Sequence, residues 1–311
     1  MIGNYKFYLL LLILFSAFIL SFPLLVNNDY YISVMVITAF HTILAVSLNL
    51  LMGYAGQISI GHGAFYGLGA YVSGILSVKY GLSPFISIII STASVSLIAF
   101  IIGLPTLRLK GHYLAMGTLG IALIVYVIIN NSVELTGGPS GLPQIPKFAV
   151  GNFILDSDIS YYYFSWSITL AIIFLLLNLV YSGIGRMLLS VNMSEIASKT
   201  LGIQTFNLKL KVFVLSAFLA SLSGALYAHY IGFLSPVTFN LNISIEVVTM
   251  VIIGGLANFF GSIFGAIILT VLPEWLRFLK DYDILVFGAV LILCMIYLPE
   301  GIFAKFKRGI N

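Results

Sequence analysis

The polar side chains that stand inside or beside long apolar runs of this sequence are His41, Asn49, Gln57, His62, Asn130, Asn131, Asn178, His229, Glu246 and Asn258. In hydrocarbon each of them needs a partner, and a carboxylate at mid-bilayer costs about 2.5 to 3.5 kcal/mol on insertion scales. Glu246 therefore belongs against the bundle interior, a water-filled cavity or the interface. The plain account makes Asn49, Asn178 and Asn258 interhelical hydrogen bonds and His229 an interfacial side chain. The stretch from Gln57 to His62 is different, because Gly53, Gly56, Gly61 and Gly63 work against an unbroken helix there. Unwound backbone at membrane depth has to line protein or water. Asn49, Gln57, Gly61, His62, Gly63 and Glu246 are accordingly the candidates for a translocation path.

Other chemistries find no pattern. The sequence has no GxxxxGK[ST] phosphate loop, no HExxH zinc motif and no GxSxG elbow, so no catalytic residue is expected and the chain should not hydrolyse ATP itself. Its four histidines lie in distant segments, and its one cysteine, Cys294, lies in an apolar run, which predicts neither a metal site nor an intramolecular disulfide. Asp156 and Asp158 read as a solvated loop face rather than an acid–base pair. The aromatics at Tyr161, Tyr162, Tyr163, Phe164 and Trp166 read as an interfacial belt.

The elements that position these residues follow from composition. Hydrophobic residues make up 60% of the chain and charged ones 8%, against about a quarter charged in an ordinary soluble domain. The few charges cannot make a polar skin for 311 residues, so lipid must be the solvent and partner of the outer surface. The basic residues form no patch or stripe for a nucleic acid.

Crossing about 30 Å of hydrocarbon takes roughly 20 apolar residues, and that rule marks about ten runs. They lie near 6–26, 31–53, 61–79, 84–104, 112–132, 162–182, 209–231, 243–256, 259–276 and 283–300. The run from Phe7 to Val26 is long for a signal-peptide core and has no small-residue cleavage site, so residues 1–30 are expected to hold a retained first span. The expected fold is all-α: one polytopic membrane domain over 1–311 with about 8 to 10 transmembrane helices. Glycines four apart, Gly63 with Gly67 and Gly261 with Gly265, suit close helix packing, and the two glycine-rich stretches around them loosely resemble each other.

Two long stretches are too polar to span. Residues 133–161 contain LTGGPSGLP, whose Gly and Pro forbid a continuous helix. Residues 183–208 read GIGRMLLSVNMSEIASKTLGIQTFNL and fit a short amphipathic helix pair, with Gly202 able to end a helix after Leu201. If both termini face the cytoplasm, Lys6, Arg108, Lys110, Arg186, Lys199, Lys209, Lys211, Lys305, Lys307 and Arg308 share that side. Lys79, Lys147, Arg277 and Lys280 then lie outside among Asp29, Asp156, Asp158, Asp281 and Asp283, so the positive-inside rule favours this orientation. It makes 133–161 an external loop and 183–208 a cytoplasmic segment.

Gly185, Arg186, Glu195, Ile196, Ala197, Ser198 and Leu201-Gly202-Ile203 resemble the coupling helix that importers of the ATP-binding cassette class dock into a cleft of the ATPase subunit. NLLMGYAGQISIGHGAFYGLGAY, LTGGPSGL, GRMLLSVNMSEIASKTLGI and LSGALYAHYIGFLSP occur in one chain in this order. Together they resemble the branched-chain amino acid permease family of these importers, of the LivM type, over roughly residues 35–303.

The resemblance implies a permease subunit in a prokaryotic cytoplasmic membrane, moving branched-chain or other hydrophobic amino acids. ATP and Mg would be bound by partner ATPase subunits, with no cofactor in this chain. A second, LivH-like permease and an extracytoplasmic substrate-binding protein would complete the machine. Arg186, Glu195, Ile196, Ala197 and Gly202 would couple to the ATPase. Ser190 and Asn192 depart from the pattern, standing where many relatives carry basic residues, so ionic contact with the ATPase is expected to be weaker here.

A zwitterionic cargo would ask of the path amide donors or a helix N-terminus for its carboxylate, acceptors for its ammonium, and an apolar wall. The competing expectations are a permease of the same class for urea or a sugar, and an ion-coupled secondary transporter or channel using Glu246 and the histidines. A membrane-embedded enzyme acting on a lipid is a third.

Overall fold

The computed structural model describes residues 2–26, 28–150 and 153–276, and beyond them Gly288, Ile292, Ile296 and Gly301. Apart from Gly288, Ile292 and Ile296, the tenth apolar run at 283–300 lies outside the described residues. So do Cys294 and the charged residues Arg277, Lys280, Asp281, Asp283, Lys305, Lys307 and Arg308.

Twelve α-helices follow one another among the described residues: α1 (Ile2–Leu25), α2 (Asp29–Asn49), α3 (His62–Tyr80), α4 (Pro84–Thr106), α5 (His112–Asn131), α6 (Val133–Thr136), α7 (Asp158–Tyr181), α8 (Gly183–Met193), α9 (Glu195–Thr200), α10 (Thr205–Ile231), α11 (Leu241–Gly254) and α12 (Phe259–Leu276). The only strands described are the two-residue pair β1 (Ala149–Val150) and β2 (Phe153–Ile154), an antiparallel hairpin. Local chemistry sets several boundaries. The Asn28 and Ser157 side chains accept from the backbone N–H of Tyr30 and Ser160 and cap α2 and α7. Pro84 opens α4, where its missing N–H costs nothing.

Among the described residues six helices are long and apolar enough to cross a membrane: α1, α2 with the turn that follows it, α4, α5, α7 and α10. They are not equivalent. The most apolar window of α2 is 94% buried, while that of α1 is 17% buried and that of α5 28%. The outer helices present Leu10, Ile13, Leu14, Leu97, Ile101, Ile124 and Ile128 to the surroundings. An apolar surface of that extent calls for lipid, and every span satisfies its backbone internally by being helical.

Inside this ring, α2 packs against α7, α10 and α12, and α3 packs against α10 and α4. The crossing of α3 and α10 is close because glycines form it: a Cβ at Gly69 would lie 2.2 Å from the Ser221 carbonyl oxygen, and one at Gly224 would lie 1.9 Å from that of Tyr66. The shorter α11, of 14 residues, rises only about 21 Å, less than the hydrocarbon thickness.

The stretch 133–161 is irregular as its composition dictates. It holds the four-residue α6, a 3₁₀ turn over Gly138–Ser140 and the small hairpin, and it bonds to residues 232–234 through Leu142 and Leu234 at 2.8 and 3.0 Å. Helix α7 begins at Asp158, earlier than hydropathy suggests, because the Ser157 cap and the following aromatics continue it outward. Three of the five aromatics at its start belong to the protein core rather than to its outer surface. Tyr161, Tyr162 and Trp166 are buried, and each polar tip finds a backbone oxygen: Tyr161 Oη donates to His229 O at 2.8 Å, Tyr162 Oη to Ile19 O at 2.6 Å and Trp166 Nε1 to Met35 O at 3.1 Å.

Candidate functional site

The expected break after α2 is present. Helix α2 runs into a π turn over Leu50–Tyr54, and the chain stays unwound until α3 starts at His62. The π turn follows from where the amides go: Ala55 N donates to Leu50 O at 3.2 Å and Gln57 N to Leu51 O at 3.1 Å. Helical donors are thus displaced by one or two residues, and the Gly53 carbonyl loses the Gln57 amide that an α-helix would give it. Along the break the side chains alternate, with Gln57 and Ser59 buried and Gly56 and Ile58 exposed. Its far end rests on α5 and α11: Ile60 N donates to Thr118 Oγ1 at 3.0 Å and Gly63 N to Ser244 Oγ at 3.1 Å.

Gly61 and Gly63 are close-approach positions. A Cβ at Gly61 would lie 2.6 Å from the Thr118 carbonyl oxygen, and one at Gly63 would lie 2.6 Å from Ser244 Oγ. Gly261 and Gly265 do the same between α12 and α11, against the carbonyls of Gly254 and Met250.

The two glycine-rich stretches that loosely resemble each other meet in space. Asn49 Oδ1 accepts from Ala257 N at 3.0 Å and Asn49 Nδ2 donates to Asn258 O at 2.9 Å, so the end of α2 holds the turn between α11 and α12. Asn258 Oδ1 in turn accepts from Gly261 N at 3.1 Å and starts α12. Asn49 and Asn258 thus serve as interhelical and capping groups, as does Asn178, whose Oδ1 accepts from Tyr5 Oη at 2.7 Å. His229 is fully buried, with Nε2 2.8 Å from Ser73 Oγ and Nδ1 2.8 Å from Pro146 O. His41 lies 2.9 Å from Thr270 Oγ1.

Gln57 and His62 remain polar and unspent. Both are 1% exposed, yet neither amide atom of Gln57, nor Nδ1 of His62, has a hydrogen-bond partner among the described residues. His62 Nε2 is 2.9 Å from Ser47 Oγ and 3.3 Å from Ser216 Oγ. Those hydroxyl protons already go to Leu44 O and Ser47 O, at 2.8 and 2.7 Å, so Nε2 is the donor and Nδ1 carries the free lone pair. A buried amide left unpaired costs about 1 to 3 kcal/mol, and a fold keeps such a group at a site that uses it. Between them they offer a donor and two acceptors on the stretch that leads into α3, whose Gly61 cap has no side chain and whose Gly63 amide is held by Ser244. Glu246 is half-buried on α11. Among the described residues no group of three or more His, Cys, Asp or Glu could hold a metal ion.

At one end of the bundle the segment 183–208 forms the short helix pair expected of it. On α8, Gly185, Leu188 and Val191 turn inward, while α9 is capped at its start by Ser194, which accepts from Ala197 N at 3.3 Å. Its end is a Schellman turn: Ile203 N bonds Ser198 O at 3.1 Å, Gly202 N bonds Lys199 O at 3.0 Å, and Gly202 takes φ +82°. Ile196 is 80% exposed, Leu201 78% and Met193 89%, and Arg186 and Ala197 are exposed as well.

Glu195 is turned the other way. Its carboxylate meets Lys209 at 2.7 Å and Lys199 at 3.0 Å and accepts from Thr205 Oγ1 at 3.3 Å, tying α9 to α10. The Lys209 ammonium above all, with Lys199, holds the carboxyl down at about 2. Ser190 and Asn192, neutral where charge was expected, bond within the chain: Ser190 Oγ meets Ser198 Oγ at 2.6 Å, and the amide of the exposed Asn192 reaches back so that Nδ2 donates to Gly53 O at 2.6 Å.

Several of these partners carry no signal in the sequence. Ser47, Thr118, Ser216 and Ser244 are small hydroxyl residues of a kind scattered through every span, and nothing in their spacing marks them out. Lys209 is visible only as one of many basic residues, and Asn192 only as a departure.

The chain matches the family model described as branched-chain amino acid transport system, permease component, over residues 30–295. It is 31% identical to the high-affinity branched-chain amino acid transport system permease protein LivM of Escherichia coli K12, over 94% of this chain and 74% of that one. It is 25% identical to the LivH permease protein of Salmonella typhimurium, over 85% of this chain and 91% of that one. To the BraD permease protein of Pseudomonas aeruginosa it is 26% identical, over 85% and 92%. No solved structure matches it. On the extent of the family match and the identity to LivM over nearly its whole length, this multi-pass membrane chain belongs to the family of branched-chain amino acid transport permeases.

Proposed function

We propose that this chain is one of two membrane subunits of an ATP-driven importer that carries branched-chain or other hydrophobic amino acids into the cell. The observation that carries the proposal is the helix break at 55–61, which places unpartnered buried polar groups between spans that are otherwise apolar and engaged. Gln57 and His62 supply the donor and acceptors a zwitterion needs, the start of α3 favours its carboxylate, and Gly61 and Gly63 keep the backbone close to α5 and α11. Asn49 shapes the path by holding the α11–α12 turn rather than by touching cargo. Glu246 borders it from α11. The names of the relatives favour an amino-acid cargo over urea or a sugar, and over ion-coupled transport.

The pair α8–α9 is the docking segment for an ATPase subunit, which binds ATP and Mg. Met193, Ile196, Ala197 and Leu201 would enter the ATPase cleft with Arg186 at its side, and Glu195 and Gly202 hold α9 in shape. The positive-inside rule supports a cytoplasmic face at this end: in chain order Lys6, Arg108, Lys110, Arg186, Lys199, Lys209 and Lys211 lie on one side of the spans and Lys79 and Lys147 on the other. The opposite end, with 133–161, receives cargo from an extracytoplasmic binding protein. LivM-type and LivH-type relatives both match the chain, which supports a second permease of the latter kind as its partner.

Gentle solubilisation and affinity capture test this directly. ATPase subunits and a second permease should come with the chain; capture of the chain alone, from membranes in which it supports uptake, would refute the proposal.

A further inference from the structure

We infer that Asn192 is the residue through which movement of the docking segment reaches the helix break, and that its hydrogen bond to Gly53 couples the ATPase to the path. The inference rests on the proposed docking role of α8–α9.

The acceptor is an unusual one. Because the π turn commits Gln57 N to Leu51 O, the Gly53 carbonyl has lost its α-helical donor, and Asn192 Nδ2 takes that place at 2.6 Å. The same amide lies across the first residues of the break. A Cβ at Gly56 would lie 2.5 Å from Asn192 Oδ1, and Gly56 takes φ +66°, where only glycine is unstrained. One side chain from α8 thus touches two glycines of the break, and a bulkier residue at 56 would drive it off.

Both sides of this contact are built to move as units. Ser190 bonds to Ser198 and fixes α8 on α9, and Glu195 fixes α9 on α10 through Lys209. Displacement of the exposed residues of α9 therefore carries Asn192 with it. On the other side, Gly53 packs against Asn49, where a Cβ would lie 2.2 Å from Asn49 Oδ1, and Asn49 grips Ala257 and Asn258. Asn192, Gly53, Asn49 and the α11–α12 turn make one chain of contacts running from the docking segment across the break to α11 and α12. The inward residues Leu188 and Val191 add apolar packing, which has no direction; the Asn192 bond has one.

Asn192 is a positioning residue in this account, so its test needs a readout that loss of folding does not imitate. That readout is the number of amino acids moved per ATP hydrolysed by the complete importer reconstituted in vesicles. Asn192→Asp keeps the shape and removes the donor, Asn192→Leu removes the polar group, and Asn207→Leu, an exposed position of α10 outside this chain of contacts, is the comparison that leaves the Gly53 contact in place.

Both Asn192 variants should assemble with the ATPase subunits and hydrolyse ATP, yet move about tenfold less amino acid per ATP, within the range of ordinary coupling energies. Asn207→Leu should stay within about twofold of the unaltered complex. An unchanged ratio in either assembled Asn192 variant overturns the inference. Failure of both to assemble overturns it too, since it assigns Asn192 to folding. If the unaltered chain assembles with no ATPase, the functional proposal itself falls before any variant is made.

Discussion

Asn49 and Asn258 are joined across the bundle by a 2.9 Å hydrogen bond from Asn49 Nδ2 to the Asn258 carbonyl, while Asn49 Oδ1 accepts from the neighbouring Ala257 amide. One amide thereby satisfies a donor and an acceptor in the buried turn between α11 and α12. Asn49→Ala leaves both unpaired, and at about 1 to 3 kcal/mol for each the thermal unfolding midpoint of the detergent-solubilised protein should fall clearly. An unchanged midpoint would mean that water replaces the clamp without loss.

Glu195 sets a pH dependence with a definite sign. Its carboxyl is held at about 2, below the ordinary 4.5, so the ionised form is favoured in the folded protein. Its contribution is fully present above pH 4.5 and is lost as pH falls from there through 2. Glu195→Gln should remove about 1 kcal/mol at pH 7, as exposed paired charges do, and speed amide exchange of α9 several-fold. The difference between the variant and the unaltered protein should shrink steadily as pH falls from 4.5 through 2; a difference that grows on acidification would contradict the ion-pair account.

Gln57 is expected to trade stability for transport. Gln57→Met keeps the volume and removes two buried unpaired polar atoms, so stability should rise by about 1 to 3 kcal/mol. Uptake by the complete importer should drop at the same time. A variant that gains stability and transports normally would take Gln57 out of the path.

Gly61 and Gly63 test the break through shape alone. Leucine at either position meets the Thr118 carbonyl or Ser244 within 2.6 Å, so α3 must shift away from α5 or α11. Uptake should be lost in both variants, with loss of folding as the extreme form of the same displacement. Normal uptake in both would show that the backbone there is free to move without consequence.

Much of this was legible in the sequence because lipid makes hydropathy a strict code. Runs of about 20 apolar residues become helices since nothing else satisfies a backbone in hydrocarbon. Glycine density marked the break at 55–61, and polarity marked the α8–α9 pair. What stayed hidden is pairing. Tyr161, Tyr162 and Trp166 have the composition of an interfacial belt and are core residues, because each finds a carbonyl on another helix. His229 likewise is interior by virtue of Ser73 and Pro146. Glu195 has the position of a docking charge, and its tie to Lys209, fourteen residues on, is not visible from that position. Asn192 registers in the sequence only as a missing positive charge; its meaning depends on a carbonyl 139 residues away.

We propose that this chain transports amino acids only as part of an ATP-driven importer that docks through α8–α9. The most direct measurement is uptake of labelled leucine into vesicles holding the chain with its partner permease, ATPase subunits and binding protein. Uptake should require ATP on the side that bears α8–α9 and should vanish when residues 186–203 are deleted. Uptake driven by a proton or sodium gradient without ATP, and surviving that deletion, would contradict the account.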